Sequence, residues 1–266
     1  MSEEILINVT PQETRVAIVE QGVVQELHIE RSSSLGLVGN IYRGTVCRVL
    51  PGMQSAFVEI GLQRAAFLHV ADVLECTSAD QEKTIQEVLH EGQPLMVQVV
   101  KEPIGTKGAR LTTQISIAGR FLVYLPQQDH IGVSQRIEDE SEREMLRDRL
   151  IGLLPQNHAG GYIIRTMSET ASDEELIADI AYLDKVWSNI QAASHGAQER
   201  SLVFQDLNLP MRVLRDVVNE TTDRIVVDSR ETFQKLSEFA TLYAASALKR
   251  LEQLSGGSSF VRRLPR

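Results

Sequence analysis

Between residues 42 and 73 the chain reads "YRGTVCRVLPGMQSAFVEIGLQRAAFLHVADV". Apolar and polar residues alternate in short runs, the period-two pattern of a half-buried strand. Pro51-Gly52 interrupts the runs once and Gly61-Leu62 interrupts them again, as turns between short strands do. The surrounding sequence continues the pattern. "NIYRGTVCRVL" (40–50), "SAFVEIG" (55–61), "AAFLHV" (65–70) and "PLMVQVVKEP" (94–103) are β runs. The polar "SADQEKTIQEVLHEG" (78–92) reads as loop plus a short helix, and "KGARLTTQISIAGRFLVYLP" (107–126) carries a strand out of the segment. Five short strands in about 75–80 residues suit a small closed barrel of the OB type.

Upstream, "ILINV" (5–9), "TRVAIV" (14–19) and "VVQELHIER" (23–31) read as an antiparallel meander, followed by a hinge at "SSSLG" (32–36). Downstream the chain is mixed. "EDESEREMLRDRLIGLL" (138–154) is a charged amphipathic helix and "GGYIIRT" (160–166) a strand. "SDEELIADIAYLDKVWSNI" (172–190) is the clearest helix, with Ser172 and Glu175 spaced as a capping box. Its Leu176, Ile180, Leu183, Trp187 and Ile190 form a core stripe. "LPMRVLRDVV" (209–218) is helical with Pro210 in its first turn, and "DRIVVDS" (223–229) is a strand. "RETFQKLSEFATLYAASALKRLEQL" (230–254) is helical, with a break near Thr241, before "SGGSS" ends regular structure. The fold class is therefore α+β, and no repeat of 20–50 residues is present.

A length of 266 residues allows one large domain or several small ones. No apolar run approaches the roughly 20 residues of a membrane span. "MSEEILINVT" places acids before its apolar run, the wrong polarity for a signal peptide. The two cysteines, Cys47 and Cys76, are too few for a zinc ribbon and read as reduced core thiols of a cytoplasmic protein. A formal net charge of -9 argues against attachment to nucleic acid by bulk charge, though a local basic or aromatic face suffices for that purpose. After Glu252 there is no acid, and Arg262, Arg263 and Arg266 make the tail basic.

Phe57 and Phe67 lie ten residues apart on adjacent strands, and His69 shares the Phe67 face. Periodicity alone favours packing both rings into the barrel. Two features favour an open face that stacks single-stranded bases. Val58, Ile60 and Leu68 already supply the core-facing parity, and a chain with 5% aromatics concentrates two of them here. In "KEPIGTKGARLTT" (101–113), Gly105 and Gly108 bracket Lys107, a place where backbone and ammonium could approach a phosphate. It lacks Walker spacing, and an ordinary hairpin with an exposed lysine fits equally well. Arg165 and Thr166 end a strand, where a guanidinium beside a hydroxyl suits a monophosphate. An arginine at a strand end is more commonly a solvated or ion-paired surface residue. No paired carboxylates occur on strands. The first strand carries Asn8, and Asp228 ends a later strand without an obvious partner. No nucleophile elbow or His/Cys ligand set is present, so the residues describe a binder rather than a catalytic centre.

Several segments together carry a resemblance. They are "ILINVTPQETRVAIVEQGVVQELHIER" (5–31), "GNIYRGTVCRVLPGMQSAFVEIGLQRAAFLHVADV" (39–73), "LMVQVVKEPIGTKGARLTTQI" (95–115), "IGVSQRIEDESERE" (131–144) and "DRIVVDSRETF" (223–233). In this order they resemble the N-terminal part of the bacterial ribonuclease E/G family. "LPGMQ", "VSQRIE" and "VDSR" stand nearer its G-type members. The resemblance implies an RNase H-like subdomain split between residues 1–35 and 206–254, with an S1 RNA-binding domain of OB fold at 36–118 and a 5′-sensor at 119–205. It assigns contacts with single-stranded RNA to Phe57, Phe67, His69 and Lys107, and a 5′-phosphate pocket to Gly119, Val123, Arg165 and Thr166.

The family activity so implied is magnesium-dependent endonucleolytic hydrolysis of single-stranded, A/U-rich RNA, with preference for 5′-monophosphate ends, in rRNA processing and mRNA decay. The family acts as a cytoplasmic homo-oligomer with zinc shared between subunits and no membrane attachment. The likeness ends near Leu254, and residues 255–266 diverge as the basic tail. The expectation is therefore a chain cut short before the DNase I-like domain that holds the magnesium-binding aspartates and zinc-binding cysteines. Catalytic and metal ligands then fall on none of its residues. Such a chain binds RNA without cutting it, the alternative being a non-catalytic regulator derived from such an enzyme.

Overall fold

A computed structural model of the chain describes residues 3–34, 36–76, 83–219, 221–243 and 245–254. They divide into two compact units, one from the chain before Gly36 and after Asp206, the other from Gly36–Asp206. The first unit opens as the meander that the alternation predicts. β1 (Glu3–Val9), β2 (Glu13–Glu20) and β3 (Val23–Arg31) pair antiparallel in sequence order.

In the second unit the run around Pro51 closes on itself. β4 (Ile41–Leu50), β5 (Ser55–Glu59) and β6 (Ala66–His69) pair antiparallel in turn. A short helix α1 (Ile85–Val88) leads to β7 (Pro94–Lys101) and β8 (Arg110–Thr112). β6 pairs parallel with β8, β8 with β7, and β7 returns to β4, so the five strands close into an OB-type barrel. Closure gives each of the five strands a partner on both sides. The interior takes one parity of each strand: Val46, Ala56, Val58, Ile60, Leu68, Val97, Val99 and Leu111 are at most 1% exposed.

The strand expected through 107–126 is cut after β8. The Gln98 side chain grips Ser116, accepting its N–H at 2.9 Å and donating to its carbonyl at 2.8 Å, and turns the chain away from the barrel. β9 (Ile117–Ala118) and β10 (Leu122–Leu125) then join β11 (Ile131–Val133) and β12 (Gly161–Ile164) in a second sheet, ordered β11-β12-β10-β9. α2 (Glu140–Leu153) precedes β12 and α3 (Asp173–Gly196) follows it. Ser172 and Glu175 close the capping box on α3. Leu176, Ile180, Leu183 and Ile190 are buried against this sheet, while Trp187 is only partly buried and Val186 turns inward instead. β13 (Ser201–Phe204), not anticipated from its sequence, pairs with Ile41–Arg43. It takes the edge of β4 that β5, paired only from Thr45 onward, leaves free.

The chain then completes the first unit with α4 (Leu209–Asp216), β14 (Thr222–Val227), α5 (Arg230–Tyr243), α6 (Ala245–Leu248) and β15 (Leu251–Gln253). The sheet order is β15-β14-β1-β2-β3, with β14 parallel to both neighbours. Ile5, Ile7, Val16, Ile225 and Val227 of the sheet share one core with Val213, Leu214, Leu236, Phe239 and Ala240 of the helices. The helix expected through Leu254 stops short, and Leu251–Gln253 are a strand. The open edge of β14 takes them: Ile225 N–H donates to the Arg250 carbonyl at 2.7 Å and Leu254 N–H to the Val227 carbonyl at 2.9 Å.

Cys76 is buried as expected, but Cys47 is exposed. It sits where the β4–β5 register slips between Val46 and Arg48, which removes it from the inward parity. Leu35 of the expected hinge, residues 78–82 of the expected loop and the basic tail 255–266 lie outside the described residues. Among the described residues no helix is long and apolar enough to cross a membrane.

Candidate functional site

The alternation in β5 and β6 sends Val58 and Leu68 inward and Phe57, Phe67 and His69 outward, each of the latter half-buried. Phe57 and Phe67 are register partners. Their ring centroids are 6.1 Å apart at an interplanar angle of 67°, an edge-to-face pair. His69 continues the row, 6.4 Å from Phe67 and tilted by 34°. Its Nδ1 accepts the Ala71 N–H at 3.2 Å and caps the 3-10 turn Val70–Asp72. In the neutral ring, Nε2 then carries the proton and is a donor.

Beside the phenylalanines runs a groove of about 820 Å³. Arg64, Lys101, Lys107 and Arg110 line it, against Glu102 as the acid, so the groove is locally basic on an acidic chain. The Glu102 carboxylate accepts the N–H groups of Leu37 and Val38 at 2.5 and 3.0 Å. Arg110 is fixed on Asp72 by two contacts, at 2.9 and 2.8 Å, and Arg64 donates to the Gly105 carbonyl. Lys107 is exposed on a hairpin in which it bridges to Ile104. Met53 and Ile104 add apolar wall, 62% and 73% exposed. Gly108 does not leave space for a ligand. A Cβ there would lie 2.1 Å from the Ala65 carbonyl oxygen, so its bareness serves backbone packing between β6 and β8.

The second group of predicted residues gathers around the turn 119–122. Arg165 Nη1 donates to the carbonyls of Gly119 and Arg120, the latter at 3.2 Å. The Arg165 N–H and the Ser168 hydroxyl both donate to the Phe121 carbonyl, at 2.9 and 2.7 Å. Val123 lies on β10 opposite Ala118, the residue before Gly119, and Thr166 opens the 3-10 turn after Arg165. A residue that sequence reasoning missed sits underneath. Asp179 of α3, 7% exposed, accepts the N–H groups of Arg120, Phe121 and Leu122, each at 2.9 Å. Burial pushes its carboxyl above the ordinary aspartate value, while the three amides and Arg165 pull it back. The signal was present: Asp179 occupies the apolar phase of the helix between Leu176 and Leu183.

Asp228 does have a partner. Asn8 Nδ2 donates to it at 2.5 Å and the Val9 N–H at 2.9 Å. One carboxylate held by an amide and a backbone donor is a structural clamp between β1 and the end of β14. Among the described residues there is no group of three or more His, Cys, Asp or Glu that could hold a metal ion.

Over 264 residues the chain is 49% identical to Ribonuclease G of Salmonella typhimurium and 48% identical to Ribonuclease G of Escherichia coli K12. Each match covers 96% of this chain and 54% of the relative. With Ribonuclease E of Nostoc the identity is 35% over 240 residues, covering 90% of this chain and 34% of the relative. The chain thus spans about half the length of the ribonuclease G relatives it matches. The family model described as the Ribonuclease E/G family matches residues 116–264. Because that model covers more than half of the chain, the chain belongs to the ribonuclease E/G family.

Proposed function

We propose that this chain is the RNA-gripping portion of a ribonuclease G-like endoribonuclease. The reading divides it into an RNase H-like subdomain (1–35 with 206–254), an S1 domain (36–118) and a 5′-sensor (119–205). Single-stranded RNA stacks its bases on Phe57 and Phe67, takes a hydrogen bond from His69, and runs its phosphates past Lys107. Gly119, Val123, Arg165 and Thr166 read a 5′-monophosphate. The whole enzyme hydrolyses A/U-rich single strands with magnesium, in rRNA processing and mRNA decay. This chain binds RNA without cutting it.

The observation that carries the proposal is the outward Phe57–Phe67 pair beside a groove lined by four cations. Aromatic faces with flanking positive charge hold single strands of any sequence, because every base has a π-face. The test is direct binding of an unstructured oligonucleotide carrying a 5′-monophosphate or a 5′-hydroxyl, followed by incubation with magnesium. Salt-sensitive binding, tighter for the monophosphate and without cleavage, is expected. Absence of binding overturns the RNA reading. Magnesium-dependent cleavage by nuclease-free protein overturns the division of labour.

A further inference from the structure

We infer that Asp179 is the positioning residue of the phosphate-reading turn, holding residues 119–122 in the shape that aims Arg165 at an RNA 5′-phosphate. The inference rests on the sensor reading above. It starts from where the backbone donors of the turn go. Three successive amides converging on one point are an anion-binding nest. Here the nest is filled from within the protein: Arg120, Phe121 and Leu122 all donate to the Asp179 carboxylate at 2.9 Å. The remaining amide, that of Gly119, donates to the Leu122 carbonyl at 2.8 Å. The amides of residues 119–122 are therefore already taken, and the Arg165 guanidinium is a cation in contact with this turn.

The orientation of Arg165 depends on the turn. Its Nη1 rests on the carbonyls of Gly119 and Arg120, and those carbonyls point where the amides behind them are tied. Gly119 approaches so closely that a Cβ would lie 2.5 Å from an Asp179 carboxylate oxygen. Carboxylate, turn and guanidinium thus form one stack, with little room for the carboxylate to shift without moving Arg165. An asparagine cannot replace it. The amide offers one acceptor oxygen for three N–H donors and turns an NH2 group toward at least one of them.

The sign of the effect separates positioning from charge. Removing a negative charge near a phosphate site strengthens phosphate binding by Coulomb attraction alone. Positioning gives the opposite result. The measurement uses the whole chain and the ratio of affinities for one oligonucleotide with a 5′-monophosphate or a 5′-hydroxyl. Asp179→Asn should bring that ratio close to one, while affinity for the 5′-hydroxyl form stays within about twofold of the parent. Adding Asp179→Asn to Arg165→Ala should lower the ratio no further than Arg165→Ala alone. Asp179→Ser, which leaves room for water to take the amides, provides the same test should the asparagine variant not fold. An unchanged or increased ratio in either variant, or an additive loss in the double variant, overturns the inference. A parent protein that does not discriminate between the two ends overturns the sensor reading itself, and this inference with it.

Discussion

Phe57 and Phe67 stand directly opposite each other across β5 and β6, with their rings edge to face at 6.1 Å on the outer wall of the barrel. Neither ring fills the interior, which Val58 and Leu68 occupy at 0% exposure. Phe57→Ala should therefore weaken binding of an unstructured oligonucleotide by about 1–3 kcal/mol, the contribution of one stacked base. The melting temperature should move little. Fluorescence anisotropy and a thermal melt on the same sample separate the two quantities, and an equal loss in both would return the rings to a packing role.

Lys107 lines the same groove, and in the proposed reading it acts through charge. Each phosphate contact on a single strand contributes about 0.7 to the slope of log affinity against log salt. Lys107→Ala should reduce that slope by about this amount and weaken binding uniformly across sequences. A salt titration checks it. An unchanged slope would mean that no phosphate lies at Lys107.

Gly108 fixes the hairpin that carries Lys107. Its place 2.1 Å, Cβ to oxygen, from the Ala65 carbonyl leaves no room for a methyl group, and the neighbouring Phe67 N–H to Ala109 carbonyl bond of 2.7 Å zips β6 to β8. Gly108→Ala should destabilise the barrel by about 1–3 kcal/mol, as overpacking does. Urea unfolding measures it, and a neutral substitution would show that β6 and β8 part more easily than the close approach implies.

The barrel was legible because one face of each strand is buried, so Phe57 and Val58 announce opposite sides of the wall through simple alternation. The family assignment was legible in long ordered segments. β15 was hidden, since "ALKRLEQL" has helix-forming composition and only the vacant edge of β14 makes Leu251–Gln253 extended. β13 was hidden for a similar reason, being specified by the half of β4 that β5 does not cover. Asp179 was visible as an acid on an apolar helix stripe, but its meaning depends on three amides some 57–59 residues earlier in the chain. Local pattern reports which face is buried. It does not report which distant backbone groups a buried carboxylate satisfies.

Asp139 gives a prediction about acid. It caps α2, accepting from the Ser141 hydroxyl and the Ser141 and Glu142 amides. These bonds, the Ser141 hydroxyl foremost, hold its carboxyl below the ordinary aspartate value. A depressed folded value means that the cap stabilises above the unfolded value of about 3.9 and is lost as pH falls through the lower folded one. The melting temperature of Asp139→Ala should lie below that of the parent at neutral pH, and the gap should close under more acidic conditions. A gap that widens on acidification contradicts the cap.

Asn8 makes the last case. Its amide donates to Asp228 at 2.5 Å, where a second carboxylate would make the paired-acid arrangement used to hold metal ions. Asn8→Asp replaces a donor with a like charge and leaves Asp228 only the Val9 amide. The substitution should cost about 2 kcal/mol of stability at neutral pH, more than Asn8→Ala, which removes the bond without adding repulsion. Two facing carboxylates also suit a hard divalent cation. Added magnesium should therefore recover part of the lost melting temperature in Asn8→Asp and leave the parent unchanged. A variant as stable as the parent without the cation would show that the clamp between β1 and Asp228 does not form in solution.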